Sequence, residues 1–328
     1  MKISAQLKYF VKLGLPAILI SFFLVAAAQI VFAQTPSRSI VISPPTIEHS
    51  LNPGESGEGV LKVTNNGNTD LTFAANVHDF IVEDKSGTPI ILTDDTLSEK
   101  YSGASWVAVT PNTFVVPAGT TKEINYFLQV PADAAPGGRY AAAIYEPVDA
   151  IQVDGTGAGV NTQLGSLFYI TVAGPVTERA EVSLFAAPGF SEYAPVSIVT
   201  EITNYSDLHV KPSGALVIKN MFGQEIARQD FSGGNIFPES TLQYVNTFFK
   251  DSGFKIGRYT AELSAVYGRD NNLPLDATLS FIIFPWKIAL AATLVVAIIV
   301  IAVLLLRRKK NKKDNSTHTT TPPATPDN

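Results

Sequence analysis

Pro136 to Pro147 reads PGGRYAAAIYEP. A glycine pair feeding an apolar run is either a phosphate-cradling loop at the start of a helix or a tight turn opening a β-strand. A phosphate loop needs a strand before the glycines, a helix after them, and usually a Lys with Ser or Thr to hold phosphate and metal. Here INYFLQVPADAA precedes the pair, and Pro131 and Pro136 break it into an irregular loop. After it, RYAAAIY puts Tyr140, Ala142 and Ile144 on one side of an alternation. The stretch therefore reads as strand, turn, strand, with Gly137 and Gly138 supplying positive φ or close backbone approach at the turn.

Outward from that turn, apolar residues keep a period of two. SIVISPPTIEHSLNPGESGEGVLKVTNNGNTDLTFAANVHDFIVED predicts a strand, a Pro-Pro break, a Pro-Gly turn, a strand from Gly59 to Thr64 and a long strand from Leu71 to Glu83. TPIIL and SWVAVTPNTFVVPAGTTKEINYFLQVP continue the series, and the Gly-rich connector VDGTGAGVNTQ separates it from LGSLFYITVAG. From Glu178 on, RAEVSLFAA, PVSIVTEITNYSD, GALVIKN, QEIARQDF, TLQYVNTFFK, GRYTAELSAVYG and ATLSFIIF make a second set of strands. Short alternating strands at this spacing predict an all-β chain of two tandem immunoglobulin-like sandwiches, without the Cys-Trp-Cys core of an antibody domain. The two sets share GVLKVTNNGNTDLTF with VSIVTEITNYSDLHV, and PGGRYAAAIY with KIGRYTAELSAVYG, which is consistent with tandem copies.

Both ends of the chain point to a membrane. Lys2, Lys8 and Lys12 precede the apolar run Leu13 to Phe32, and VFAQ offers cleavage between Ala33 and Gln34, so residues 1–33 read as a signal peptide, with an uncleaved anchor as the alternative. Near the other end, Ile288 to Leu306 carries neither charge nor proline. At 1.5 Å per residue it spans about 28 Å, enough for a transmembrane helix. Arg307, Arg308, Lys309 and Lys310 open a basic stop-transfer cluster, and Trp286 stands where an outer interfacial aromatic is expected. The expected order is a first sandwich over 34–177, a second over 178–285, a membrane helix over 286–306 and a cytoplasmic tail over 307–328, Thr/Pro-rich at its end. This is a single-pass type I protein with its domains outside the cell and the bilayer as a partner of its helix.

From Gln34 to Lys287 there are 27 acidic and 15 basic residues. A net charge of −12 argues against a nucleic-acid partner and against docking on anionic headgroups. With no cysteine, the exported domains rely on their cores rather than on disulfides or thiolate metal sites.

No catalytic, metal or cofactor site is expected. His49, His78 and His209 have no metal-ligand spacing and read as strand-face or loop residues. Glu83-Asp84 and Asp94-Asp95 match no calcium loop and read as turn charges, and no serine sits in a GxSxG context. Asn204 in NYS reads as a turn residue rather than a glycan acceptor, and LPLDA at Leu273–Ala277 is a poor match to a sortase signal. Contact with a ligand falls to Trp106, a core-or-platform aromatic, and to Tyr140 and Tyr145, whose odd separation puts them on opposite strand faces, one inward and the other exposed.

ISPPTIEHSLNPGESGEGVLKVTNNG, FVVPAGTTKEINYFLQVPADAAPGGRYAAAIY and the membrane-anchored second domain together resemble the Gram-positive surface family of WxL-interacting proteins. The resemblance covers Ser37 to about Phe284 and is strongest at the Pro-Gly-Gly-x-Tyr turn. It implies a first domain of the DUF916 type that binds peptidoglycan, and a second that binds a WxL surface protein. The expectation is a non-enzymatic cell-surface binding protein whose partner is peptidoglycan or another surface protein. A pilus-type assembly chaperone and an envelope hydrolase are the alternatives.

Overall fold

The computed structural model describes residues 39–92, 100–148, 164–250 and 254–315. The signal-peptide reading with Ala33 and Gln34, the Asp94-Asp95 pair, the Gly-rich connector and the end of the tail lie outside them.

The described chain is two immunoglobulin-like β-sandwiches followed by one long helix. The first strand of the first sandwich is split between its two sheets. β1 (Ile40–Ser43) runs antiparallel to β3 (Ser56–Asn65), and past Pro44-Pro45 β2 (Thr46–Leu51) joins the opposite sheet, parallel to β11 (Leu164–Val172). One sheet has the order β1, β3, β9 (Thr121–Gln129), β7 (Val107–Thr110). The other has the order β2, β11, β10 (Gly137–Pro147), β4 (Leu71–His78), β8 (Thr113–Val116).

The second sandwich repeats this plan. β12 (Ala180–Ala186) lies antiparallel to β14 (Val196–Asn204), and β13 (Phe190–Ser191) crosses to lie parallel to β19 (Leu273–Ile283). Its sheets are β12, β14, β17 (Thr241–Phe248) and β13, β19, β18 (Gly257–Tyr267), β15 (Ser213–Asn220), β16 (Glu225–Ser232). All seven strands expected from Glu178 on are present, and the two-residue β13 is added.

Alternation explains the cores. In β9, Ile124, Tyr126 and Leu128 face inward between exposed neighbours, and in β18 Tyr259, Ala261, Leu263, Ala265 and Tyr267 face inward between exposed or half-buried ones. The glycine strand β10 departs from this. Ala141, Ala143 and Tyr145 enter the first core, while Tyr140, Ala142 and Ile144 pack on the other face against Phe80, Tyr169 and Phe237. Covered on both faces, it needs the near-continuous apolar run that the sequence has.

The two sandwiches also share a hydrogen-bonded clamp. Asn65, fully buried, donates from Nδ2 to the carbonyls of Thr69 (2.7 Å) and Val116 (3.0 Å) and accepts at Oδ1 from the Gly67 N–H (2.9 Å). Asn204, equally buried, donates to Leu208 (2.9 Å) and Ile236 (2.8 Å) and accepts from the Ser206 N–H (2.8 Å). The turn each one clamps is also shared. Thr120 Oγ1 donates to the Pro117 carbonyl and Ser240 Oγ to the Phe237 carbonyl, both at 2.8 Å, after a left-handed residue, Gly119 (φ 68°) or Glu239 (φ 62°). Asn204 is thus a structural clamp whose amide is already engaged.

Three sequence readings are corrected. The strand from Leu71 to Glu83 stops at His78, and after Asp79 only Phe80–Ile81 (β5) continues, paired with Ile90–Ile91 (β6). The break frees the Asp79 carboxylate to accept from Ser102 Oγ (2.6 Å) and from the N–H groups of Gly103 (2.9 Å) and Ala104 (2.8 Å). Trp106 closes a 3-10 turn (Ala104–Trp106) instead of lying in a strand. The Gly-Arg-Tyr match between the sandwiches is one residue out of register. Tyr259 points into the second core, whereas Tyr140 points out of the first. Each strand instead begins on a left-handed glycine, Gly137 (φ 129°) and Gly257 (φ 135°), and the extra Gly138 shifts the tyrosine by one.

Helix α1 (Trp286–Asn315) follows β19 after Phe284-Pro285. Trp286–Arg308 is long and apolar enough to cross a membrane, with a mean hydropathy of 3.2 and none of it buried in the protein. It contains the expected span Ile288–Leu306 and continues through Arg307 to Lys310.

Candidate functional site: the cleft between the sandwiches

The Gly-Gly turn sits where the two sandwiches meet. The Gly138 N–H, which a phosphate loop would turn toward an anion, donates instead to the Asp207 carbonyl of the second sandwich (2.8 Å). A Cβ on Gly137 would stand 3.0 Å from that same carbonyl oxygen, besides being strained at φ 129°. Gly138 has no positive φ, but a Cβ there would overlap the phenol of Tyr140. The pair thus supplies both expected features, one from each glycine.

Tyr140 and Tyr145 do lie on opposite faces, but neither is exposed, which corrects the expectation of a free aromatic. Tyr145 is sealed in the first core against Phe114. Tyr140 is the centre of an interdomain aromatic cluster, with ring centroids 4.9 Å from Phe237, 5.9 Å from Phe80 and from His209, and 6.1 Å from Tyr169. Its hydroxyl accepts from the His209 backbone N–H (2.7 Å). Burial pushes both phenols well above the ordinary tyrosine range and pulls the His209 imidazole below its usual value.

Trp106 is half-buried against the first core, with the Arg139 guanidinium 5.4 Å from its ring centroid. Arg139 is itself buried, and donates to the carbonyls of Gly138 (3.0 Å) and Ala135 (3.2 Å). These contacts take up the surface a sugar would need for stacking. Of the histidines, His49 lies in β2 and shares a 2.9 Å hydrogen bond with the Tyr126 hydroxyl, and His78 ends β4. Asp84 caps a turn, accepting from Ser86 and Thr88, and the Ser86 hydroxyl holds its carboxyl below the usual range. LPLDA is the start of β19, with Leu275 in the core. Among the described residues no group of three or more His, Cys, Asp or Glu could hold a metal ion.

Ion pairs flank the joint. Lys85 reaches Glu201 (2.8 Å), which also accepts from Gln243 (2.9 Å), and Lys100 reaches Asp207 (3.1 Å). Beside the aromatic cluster a cleft of 540 Å³ opens between the sandwiches, with Glu48, Ser50 and Thr171 on one wall and Lys211, Pro212 and Arg269 on the other.

One wall of this cleft is a sheet edge. Among the described strands β2 pairs only with β11 and ends its sheet. The Leu167 N–H donates to the Pro45 carbonyl and the Ala173 N–H to the Leu51 carbonyl, which sets the phase of the parallel ladder. Ile47 and His49 therefore turn their N–H and C=O toward β11, and Thr46, Glu48 and Ser50 turn theirs away from it, to the free edge. Sequence reasoning found the strand but not its edge, because pairing order across a sandwich leaves no local trace. The Pro-Pro break before it was the available signal.

No protein-family model and no curated protein matches the chain. Among solved structures it is similar to the class 5 fimbriae chaperone CfaA, at 13% identity and a TM-score of 0.37, over 73% of this chain and 98% of that one. It is also similar to the YadV chaperone, at 12% identity and a TM-score of 0.35, over 74% and 99%. A third is the E. coli chaperone DraB, at 13% identity and a TM-score of 0.30, over 75% and 95%. The sandwich assignment rests on the strand pairing described above.

Proposed function

We propose that this chain is a membrane-tethered binding protein, without catalytic activity, that takes an extended segment of another surface protein into the cleft between its sandwiches by strand addition to β2. The observation that carries this reading is the free edge of β2, whose Glu48 and Ser50 lie in the cleft wall, where unpaired N–H and C=O groups offer a ladder to an incoming strand. Lys211 and Arg269 on the opposite wall, and Glu48 on this one, supply charges that can select side chains of that strand. The sequence resemblance to WxL-interacting proteins supports a protein partner at the cell surface. Peptidoglycan is the less favoured ligand, because the aromatics expected to stack on sugar are sealed in cores or covered by Arg139.

The test compares retention of the full chain, in detergent, on cell walls that carry their surface proteins and on stripped sacculi. Retention on intact walls only, abolished by Glu48→Pro, is expected, since proline removes an edge N–H while leaving the bonds to β11. Retention on stripped sacculi, unaffected by that substitution, would overturn strand addition in favour of a glycan ligand.

A further inference from the structure

The second sandwich has two unlike ends. Its far end, formed by the Asn204–Val210 loop, the Phe237–Ser240 turn and Gly268–Asn271, packs on the first sandwich or lines the cleft. The register of its sheets fixes what lies at the other end. β19 finishes at Ile283, which pairs with Gly257 at the start of β18 and with Ser191 of β13. Asn220, the last residue of β15, pairs with Tyr259, so the β15–β16 hairpin tip arrives at the same level. Phe284-Pro285 and then α1 leave from here.

Large apolar side chains collect at this end and face solvent. Phe222 at the hairpin tip is 80% exposed and Met221 67%, Phe254 ahead of β18 is 65% exposed, and Phe190, Tyr193 and Trp286 are each about half exposed. A soluble surface does not gather such side chains at one end without a partner. The tip is built to present them. The Asn220 carboxamide oxygen accepts from the N–H groups of Phe222 (2.9 Å) and Gln224 (3.0 Å), and Gly223 turns the chain back at φ 79°. The helix is held against the same end, since Lys287 Nζ lies 2.8 Å from a Glu192 carboxylate oxygen and the Phe284 N–H donates to the Ser191 carbonyl (2.9 Å). Lys250, Lys255 and Arg258 lie close in sequence to Phe254, and the carboxylates of Glu192 and Glu225 are at the same end.

We propose that this end is a membrane-resting foot: Met221, Phe222 and Phe254 enter the headgroup and upper acyl region of the bilayer beside the point where α1 enters it. The inference rests on α1 crossing that bilayer. The occupant is the lipid surface because two residues separate the sheet from an apolar helix, which leaves the foot no room to stand clear of it. Aromatic and thioether side chains, with lysine and arginine nearby, suit that boundary.

The test uses the full chain in nanodiscs of phosphatidylcholine and phosphatidylglycerol brominated on the acyl chains near the headgroup. Bromine quenches indole on contact, and Trp106 in the first sandwich is the unquenched reference. Trp286 in the parent, and the new indole of Phe222→Trp in a Trp286→Phe background, are both expected to lose most of their emission. The Phe222 side chain is exposed, so this exchange leaves the core alone. Quenching of Trp286 with none at Phe222→Trp would overturn the foot and leave the span standing. Quenching at neither position would overturn the span, and the foot with it.

Discussion

The Tyr140 hydroxyl of the first sandwich accepts a 2.7 Å hydrogen bond from the His209 backbone N–H of the second. With the ring sealed among Phe80, Tyr169 and Phe237, that bond joins two sandwiches that share no sheet. Tyr140→Phe keeps the ring but leaves a buried donor without its partner, which costs about 1–2 kcal/mol. Tyr140→Ala also empties the cluster and costs about 3–5 kcal/mol. Denaturant unfolding of the two variants checks both values. Equal stability of Tyr140→Phe and parent would mean that the hydroxyl contributes nothing to the joint.

Gly138→Val is expected to destabilise the first sandwich, because its side chain must displace the Tyr140 phenol. Gly137→Ala meets a different obstacle, a left-handed backbone and the Asp207 carbonyl oxygen at 3.0 Å. Both variants should lower the melting temperature. By contrast Gly189→Ala, where a Cβ would meet nothing within 4 Å, should leave it unchanged. A Gly138→Val protein that melts like the parent would remove the close approach from the account.

Asn65 and Asn204 make the same three bonds, so Asn65→Ala and Asn204→Ala should each cost about 2–4 kcal/mol through the carbonyls and amide they leave unpaired. Thermal unfolding with a probe in each sandwich should show each variant loosening its own domain first. Loss confined to one of the two would break the claimed equivalence.

Burial lowers the His209 pKa, and burial does the same for His49. The unfolded chain takes up a proton as pH falls through the ordinary histidine value of about 6.5, and the folded chain resists it. The stability these residues contribute is therefore complete above that value and is lost as pH drops below it. Glu48 favours the charged imidazole of His209 while Lys211 opposes it, and the Tyr140, Tyr169 and Phe237 rings around it give no charge. Unfolding midpoints should fall between about pH 7 and about pH 5, with part of the slope absent in His209→Gln. A midpoint that rises on acidification would reverse the sign and contradict the buried neutral imidazole.

Much of the fold was legible because period-two alternation and turn residues are local signals. β9 and β18 show their inward faces in sequence, and Thr-Asn before a polar turn marked both clamp asparagines. The site was not legible in the same way. One of Tyr140 and Tyr145 was expected to be exposed, because one sequence cannot show that a second domain covers the outer face of their strand. The burial of Arg139 left no sequence signal, because its partners are backbone carbonyls and a tryptophan face. The edge at β2 depends on which strands lie beside it, and that is a property of the assembled sheet. The long strand through Asp79 failed for a definable reason: its carboxylate satisfies a neighbouring turn better than it tolerates a place in the ladder.

The central claim is that a partner strand lies along β2 in the cleft, and a photo-activated crosslinker at Ser50 in whole cells tests it most directly. The account predicts an adduct with one surface polypeptide, mapped to an extended segment of it and lost when Glu48→Pro is added. Adducts that survive Glu48→Pro unchanged, or that form only with wall glycan, would contradict it.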